Sequence, residues 1–165
     1  MYAELSVNSA NAQAKIEEAA AEFQTKTCVK LVRKTLDEIA TEGIPYYVNI
    51  TSDSGLYRRR NFLYQRIAIL RSQILTETKA FMTEKSTVIH EFCHALGMNH
   101  EQSRSDRDNH LKVLFENINE DKKYNLEKEK TLDNNPYDYY SLMQYGLYVS
   151  VNTAVVIETF LDICM

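Results

Sequence analysis

The spacing of apolar side chains predicts one helix and several strands in the first part of the chain. Within residues 11–25 the apolar positions recur at intervals of three and four, which is the pattern of a helix with one apolar face. That face consists of Ile16, Ala19, Ala20 and Phe23. Two further runs either alternate between apolar and polar side chains or are rich in branched and aromatic ones; they are residues 28–32 and 46–51. We therefore predict strands there, with residues 66–70 as a further candidate.

A second helix is predicted from the run TVIHEFCHAL, whose composition is typical of a buried helix. Ser86 or Thr87 can cap its first turn, and Gly97 suits its C-terminal end because glycine tolerates a left-handed backbone. Beyond Glu101 the chain becomes polar, with partial helix at most in NINEDKKYNLEKEK and a loop in DNNPYDYYS.

Length and charge restrict the classes of protein to which this chain can belong. Its 165 residues, 44% of them apolar, suffice for one domain with a core, which we expect to have two lobes. A net charge of -4 and scattered basic residues argue against nucleic acid as a partner. No run is long enough to span a bilayer, and the N-terminus lacks the features of a signal peptide. If the protein is secreted, we expect its leader to lie outside this chain.

The cysteines do not define a cellular compartment. The three cysteines, Cys28, Cys93 and Cys164, leave at least one thiol unpaired, so we expect no disulfide framework. Three cysteines still allow one disulfide bridge. The triplet NIT at Asn49 is an N-glycosylation sequence inside a predicted strand. It indicates a secreted protein, but such triplets also arise by chance.

The stretch HEFCHALGMNH places three of the chain's four histidines within eleven residues. On a helix, His90 and His94 project from one face, and a turn at Gly97 lets His100 supply a third imidazole. Three protein ligands leave one coordination position for water, as in catalytic zinc sites, and zinc lowers the pKa of that water toward about 7. Glu91 is placed to take the proton as general base and to pass it to a departing amine. The alternative is that these histidines pack in a core without metal.

Longer motifs add a resemblance to a known family. The pattern H-E-x-x-H-x-x-G-x-x-H is the metzincin signature. The run HEQSRSDRD (100–108) closely resembles the segment that distinguishes astacin-type zinc endopeptidases, and YDYYSLMQYG (137–146) resembles their methionine turn. The upstream runs IEEAAAEFQTKTCVKLV, YYVNITSDSGLYRRR and STVIHE are similar to the family in a less specific way. Altogether the resemblance extends from about Ser9 to about Glu158.

The resemblance implies an α+β, metzincin-like zincin fold. We expect a single astacin-like peptidase domain over residues 1–165. Its upper lobe, about 1–100, would contain a mixed sheet and the active-site helix, and its lower lobe, 101–165, would be shortened. The family is secreted and made as a zymogen, so the same is expected of this protein.

The resemblance also assigns roles to individual residues. One catalytic Zn²⁺ would be held by His90, His94 and His100, and the substrate would be a peptide or protein. Met143 would form the hydrophobic floor beneath the metal. Tyr145 would act with Glu91 in catalysis by donating a hydrogen bond to the developing oxyanion.

Several positions depart from the family pattern. Gln144 stands where a histidine is usual, although glutamine can still form hydrogen bonds. We expect the family's opening strand and pro-segment to be missing from this chain, so Glu101, which in mature relatives pairs with an N-terminal ammonium group, needs solvent or another partner. The cysteine that matches Cys28 bridges in relatives to one in a longer lower lobe, and Cys164 could replace it only if the tail folds back. Residues 61–81 replace a glycine-rich segment where an edge strand should line the substrate cleft.

Three further side chains are assigned from their context. Cys93 only flanks the face that carries the histidines, so we expect a small buried hydrophobe rather than a ligand. His110 is expected at the surface. The arginine and aspartate residues of SRSDRD are expected to pair and brace the loop after His100.

Three hypotheses about function follow. The first is a zinc endopeptidase in which Glu91 and Tyr145 are catalytic. The second is a truncated, catalytically inactive relative that binds zinc or a partner without turnover. The third is a cytosolic metallopeptidase with the same chemistry, against which a glycan on Asn49 would count.

Overall fold

The computed structural model of the protein describes residues 1–6, 10–45, 47–51, 71–75, 84–146 and 156–159. The chain divides into two compact units, residues 1–97 and 98–165, and each has its own hydrophobic core. The candidate strand at 66–70 and Cys164 lie outside the described residues.

The first unit contains a four-stranded sheet. Its strands are β1 (Tyr2–Ser6), β2 (Val32–Arg33), β3 (Tyr47–Thr51) and β4 (Arg71–Leu75), in the order β2-β1-β3-β4. The predicted strand at 46–51 is confirmed as β3, and Asn49 lies within it, opposite residues of β1 and β4. We expected a mixed sheet, and the pairs described within this sheet are all parallel.

The N-terminal strand was not predicted, and the expectation that an opening strand is missing is wrong. Residues Tyr2–Ser6 form β1 in the interior of the sheet order. The strand predicted at 28–32 is displaced, because pairing with β1 begins only near its end. There the Val32 amide donates to the Met1 carbonyl at 3.0 Å, and the Lys34 amide donates to the Ala3 carbonyl at 2.8 Å.

The first predicted helix is confirmed as α1 (Ala10–Lys26). Its buried residues are Ala12, Ile16, Ala19 and Phe23. The ring of Phe23 meets that of Phe92 edge to face, with centroids 6.0 Å apart, and Phe92 belongs to a later helix, α3 (Lys85–Ala95). The apolar face of α1 therefore packs on the helix that carries the histidine motif.

An ion-pair cluster adds a second connection between these two helices. Glu22 of α1 lies 2.6 Å from the ammonium of Lys26 and 2.5 Å from that of Lys85 at the start of α3. Hydrogen bonds from these two lysines lower the pKa of the Glu22 carboxyl to about 2. The first turn of α3 is thereby attached to α1 by charge as well as by packing.

A short helix, α2 (Leu36–Thr41), was missed. Thr35 caps it through a reciprocal arrangement: its hydroxyl accepts from the Glu38 amide at 3.2 Å, and the Glu38 carboxylate accepts from the Thr35 amide at 2.8 Å. The sequence signal was the T-x-x-E spacing of a capping box.

The described residues of the second unit, 98–146 and 156–159, contain little regular structure. Strands β5 (Leu111–Val113) and β6 (Ile157–Thr159) pair antiparallel, and four short 3₁₀ turns lie at 101–103, 107–109, 115–117 and 120–126. Its core contains Leu111, Leu126, Tyr137, Val156 and Ile157. The predictions of partial helix after Asn117 and of a loop around residues 133–141 are confirmed. Among the described residues, no helix is both long and apolar enough to cross a membrane.

Candidate metal centre

Helix α3 carries the first part of the histidine motif. His90 and His94 are four residues apart, so their rings lie on one face of the helix, with centroids separated by 4.6 Å and planes at 88°. Glu91 follows His90 on the same helix and is partly buried. Val88, Phe92 and Ala95 point into the core and fix how the helix is rotated.

The predicted start of this helix needs correction and its predicted end is confirmed. The helix begins at Lys85 after Glu84, which makes no side-chain cap, so neither Ser86 nor Thr87 is the capping residue. At the other end Gly97 has a φ of +92°, and its amide donates to the His94 carbonyl at 2.9 Å. A left-handed residue at this point ends the helix and redirects the chain toward His100.

The three histidines of the motif are close enough to bind a metal ion. One ring nitrogen from each of His90, His94 and His100 lies within 4.8 Å of the others. Nitrogens at about 2.0 Å from a tetrahedral zinc ion would be separated by about 3.3 Å, which lies within this limit. Three imidazoles are a donor set that suits zinc and leaves one position open.

The structure identifies the partners of Glu101. One of its carboxylate oxygens accepts from the Arg104 guanidinium at 3.0 Å and from the Asp138 amide at 3.0 Å. The Glu101 amide in turn donates to the Met143 carbonyl at 3.0 Å. Glu101 therefore joins the loop after His100 to the segment that resembles the methionine turn.

Arg104 and its neighbours confirm the predicted pairing within SRSDRD. The guanidinium of Arg104 binds both carboxylate oxygens of Asp106 at 2.9 Å, and it donates to the carbonyls of Asn135 at 2.9 Å and Pro136 at 3.3 Å. The hydrogen bonds that Arg104 donates to Asp106, with the nearby Glu101 charge, raise the pKa of Arg104 above its ordinary value. A bidentate pair of this kind restricts the geometry of the loop.

Arg107 is the most buried charged residue of this loop, with 4% of its surface exposed. Its guanidinium donates to the carbonyls of Gln102 at 2.8 Å and Leu126 at 2.5 Å, and to the Asp108 carboxylate at 2.9 Å. Hydrogen bonds to Asp108, first from Lys128 and then from Arg107, lower the pKa of its carboxyl. Arg107 thus connects two turns of the second unit through buried main-chain oxygens.

The residues that resemble the methionine turn lie in the same unit. Met143 is 2% exposed. Tyr145 lies beside His100, with ring centroids 4.5 Å apart, and its amide donates to the side-chain oxygen of Gln102 at 3.0 Å. Gln144 accepts from the Tyr137 hydroxyl at 2.5 Å and donates to the Tyr145 carbonyl at 3.0 Å. Gln144 therefore forms hydrogen bonds with both ends of its amide.

His110 is not the surface residue that we expected. Its ring stacks on that of Tyr137, with centroids 4.6 Å and planes 20° apart, and its side chain is 30% exposed. The hydroxyl of Tyr139 also donates to the His110 carbonyl at 3.2 Å. Burial, reinforced by the negative charge of Glu101, raises the pKa of the Tyr137 hydroxyl. His110 is thus part of the packing of the second unit.

Two cysteines, Cys28 and Cys93, lie among the described residues. Cys93 packs against the core of the first unit, and its burial raises the pKa of the thiol, as expected for a small hydrophobe. Among the described residues neither Cys28 nor Cys93 forms a disulfide. Cys164, the predicted candidate partner of Cys28, lies outside the described residues.

Sequence reasoning missed Gln102. This side chain is fully buried, with 0% of its surface exposed, and it binds the backbone of Tyr145. It occupies a variable position of the motif H-E-x-x-R, which is why the motif gave it no role. No local pattern in the sequence marks it, since its partner Tyr145 lies 43 residues away.

Comparisons with known proteins agree with this geometry. The family model described as Astacin (Peptidase family M12A) matches residues 1–162. High choriolytic enzyme 1 of Oryzias latipes is 35% identical over 136 residues, which cover 81% of this chain and 45% of that protein. Astacin-like metalloendopeptidase of Gallus gallus is 33% identical over 140 residues, covering 84% and 31%. The chain thus spans less than half the length of these relatives.

Solved structures are similar as well. The structure of High choriolytic enzyme 1, described as a hatching enzyme zinc-protease from medaka, matches with a TM-score of 0.74 at 28% identity, covering 96% of this chain and 76% of that one. Myroilysin matches with a TM-score of 0.60 at 19% identity, covering 97% and 82%, and supports the fold alone. The helices, the small sheet and these likenesses define an α+β zincin fold, as predicted. The chain belongs to the astacin family of peptidases.

Proposed function

We propose that this chain is a zinc-dependent endopeptidase that hydrolyses peptide bonds in a peptide or protein substrate. The observation that carries the proposal is the approach of three histidine nitrogens to within 4.8 Å, with Glu91 next to one of these histidines on the same helix. Membership of a peptidase family supports it.

The three histidines would hold one metal ion. His90 and His94 come from a single helical face, and His100 follows the turn at Gly97. Zinc bound there would supply Lewis-acid chemistry, which polarises a substrate carbonyl and makes water a stronger nucleophile near neutral pH. The packing of α3 on its core would keep two of the ligands in place before the metal arrives.

Two side chains would carry the proton and charge transfers. Glu91 would accept the proton of the attacking water and then deliver it to the departing amine nitrogen, as a general base followed by a general acid. The phenol of Tyr145 would donate a hydrogen bond to the oxyanion that develops on the substrate carbonyl. Met143 would form an apolar floor to the site, which its burial supports.

The proposal includes where the protein works and how it is organised. We place it outside the cell, because a relative is described as a hatching enzyme and Asn49 begins a glycosylation triplet. Residues 1–97 and 98–165 would be the two lobes of one peptidase domain. The alternative of an inactive zinc-binding relative is not favoured, since the similar proteins carry names of peptidases.

Peptide hydrolysis tests the catalytic roles. The purified, zinc-loaded chain is incubated with a mixed library of quenched fluorescent peptides, next to Glu91→Gln, Tyr145→Phe and a chelator-treated sample. We expect Glu91→Gln and chelation to abolish cleavage. Loss of one oxyanion donor in Tyr145→Phe should lower kcat by about 100-fold or more. Absence of cleavage by a folded, zinc-bearing wild type would contradict the endopeptidase proposal.

Metal analysis tests the ligands separately from turnover. His94→Ala should lose tightly bound zinc in equilibrium dialysis, whereas His110→Phe, which removes an imidazole outside the motif and keeps an aromatic ring on Tyr137, should retain it. Equal zinc retention in both variants would contradict the assignment of His94.

A further inference from the structure

We propose that Gln102 is a positioning residue for Tyr145, so that the direction of the tyrosine ring depends on a glutamine side chain 43 residues away in sequence. This inference rests on the proposed function. The contacts that support it all lie within the second unit.

Two hydrogen bonds join the loop after His100 to the segment that ends at Tyr145. The Glu101 amide donates to the Met143 carbonyl at 3.0 Å, and the Tyr145 amide donates to the Gln102 side-chain oxygen at 3.0 Å. The first is an ordinary main-chain pair. In the second, the acceptor is a side-chain amide oxygen, whereas in a pair of strands it would be a backbone carbonyl.

The Gln102 side chain is held in one orientation. Only its carbonyl oxygen can accept from the Tyr145 amide, so the two ends of the side-chain amide are not interchangeable. Its nitrogen, Nε2, is buried and has no hydrogen-bond partner among the described residues. A buried donor without a partner is unfavourable, and an apolar side chain of similar size would avoid that cost. The hydrogen bond to Tyr145 is the contact that an apolar side chain could not replace.

The backbone of Gln102 is fixed as well. The Gln102 carbonyl accepts from the buried guanidinium of Arg107 at 2.8 Å, and Gln102 itself is fully buried. The acceptor offered to Tyr145 therefore comes from a braced position. On the other side of Tyr145, its carbonyl accepts from Gln144 at 3.0 Å.

Two glutamine side chains thus hold both main-chain polar groups of Tyr145. Since a side chain's allowed rotamers depend on its backbone conformation, fixing the peptide groups restricts where the phenol can lie. The ring is found 4.5 Å from that of His100. Without the Gln102 acceptor, the Tyr145 amide would lose this hydrogen bond, and the ring would sample a wider range of positions around that histidine.

Amide exchange in the full-length chain tests the inference directly. In ¹⁵N-labelled protein, hydrogen exchange at the Tyr145 amide is compared between wild type, Gln102→Met, which removes the acceptor at similar length, and the control Ser103→Ala. Ser103 is the buried neighbour, and its main-chain bond to the Glu129 amide at 2.7 Å does not need the hydroxyl. We expect exchange at Tyr145 to accelerate at least tenfold in Gln102→Met and to stay unchanged in Ser103→Ala.

The Glu101 amide provides an internal reference for general loosening. If Gln102 positions Tyr145, exchange at Glu101 stays slow while that at Tyr145 rises. Equal acceleration at both sites, or no acceleration at Tyr145, would overturn the inference. Should Gln102→Met fail to fold, Gln102→Asn, whose shorter side chain withdraws the oxygen, is measured in the same way. A wild-type Tyr145 amide that exchanges freely would overturn the inference without any variant.

Kinetics separate this inference from the proposed function. If wild type cleaves peptides, Gln102→Met should lower kcat about tenfold with KM changed less than threefold, because Tyr145 is proposed to act on the developing oxyanion. An unchanged kcat in that variant would contradict the positioning role while leaving the peptidase intact. If wild type cleaves nothing, the proposed function fails, and the exchange data still decide whether Gln102 holds Tyr145.

Discussion

Replacing Arg107 by methionine should destabilise the second unit more than any surface change. The variant keeps most of the aliphatic stem and removes the guanidinium, which is buried and donates to the Gln102 and Leu126 carbonyls at 2.8 and 2.5 Å. Hydrogen bonds to charged groups contribute roughly 1.5–3 kcal/mol each, so two of them sum to about 3–6 kcal/mol. Some of this is offset because the charge no longer has to be desolvated. We expect the free energy of unfolding of Arg107→Met to be lower than that of wild type by about 3–5 kcal/mol.

The control for this prediction is Lys112→Met in the same unit. Lys112 is 62% exposed and lies 3.9 Å from Glu158, which is 54% exposed, so its ion pair should contribute less than about 1 kcal/mol. Unfolding in urea is followed by far-UV circular dichroism and by fluorescence of the 11 tyrosines in this tryptophan-free chain. A free-energy loss for Arg107→Met as small as that for Lys112→Met would refute the argument that these two carbonyl contacts stabilise the unit.

Three further predictions concern other parts of the chain. Gly97→Ala should cost about 1–3 kcal/mol in urea unfolding, because φ is +92° there even though a Cβ would meet no atom within 4 Å; unchanged stability would show that the turn adapts easily. Met143→Ala should cost about 2–5 kcal/mol because Met143 is 2% exposed, whereas Leu132→Ala, at 90% exposure, should stay within about 0.5 kcal/mol; similar losses in both would contradict the assigned burial. Glu22, whose pKa is lowered to about 2, contributes stability that is present above its ordinary pKa of 4.5 and is lost as the pH falls toward 2. Thermal melts between pH 5 and 2 should therefore show a smaller decline for Glu22→Gln than for wild type, and identical declines would argue against the Glu22 cluster.

Local patterns were enough to predict the helix that carries His90 and His94 and the helix that packs on it. Two local patterns predicted the helices: the three- and four-residue periodicity of α1 and the apolar run of α3. Burial of one helical face requires such spacing, and this requirement does not depend on the rest of the fold. The glycine at 97 likewise predicted the end of α3, since its left-handed conformation depends on local sterics.

The strands and their partners were harder to predict. The strand β1 was missed, and β2 was predicted too early in the chain. The short strand at Val32–Arg33 is defined by its pairing with Tyr2 and Ala3, which are about thirty residues away. The helix α2 could have been found from the T-x-x-E spacing at Thr35, which is a local signal.

The sequence by itself determined the spacing of the candidate metal ligands, because helix geometry places residues four apart on one face. Only the tertiary structure decided which groups meet Glu101, Gln102 and Arg107. Glu101 bonds to the Asp138 amide and Gln102 to the Tyr145 amide across separations of 37 and 43 residues. Such contacts have no period along the chain, since they form only when distant turns fold against a shared core. The fully buried Gln102 could for that reason be recognised only from the structure.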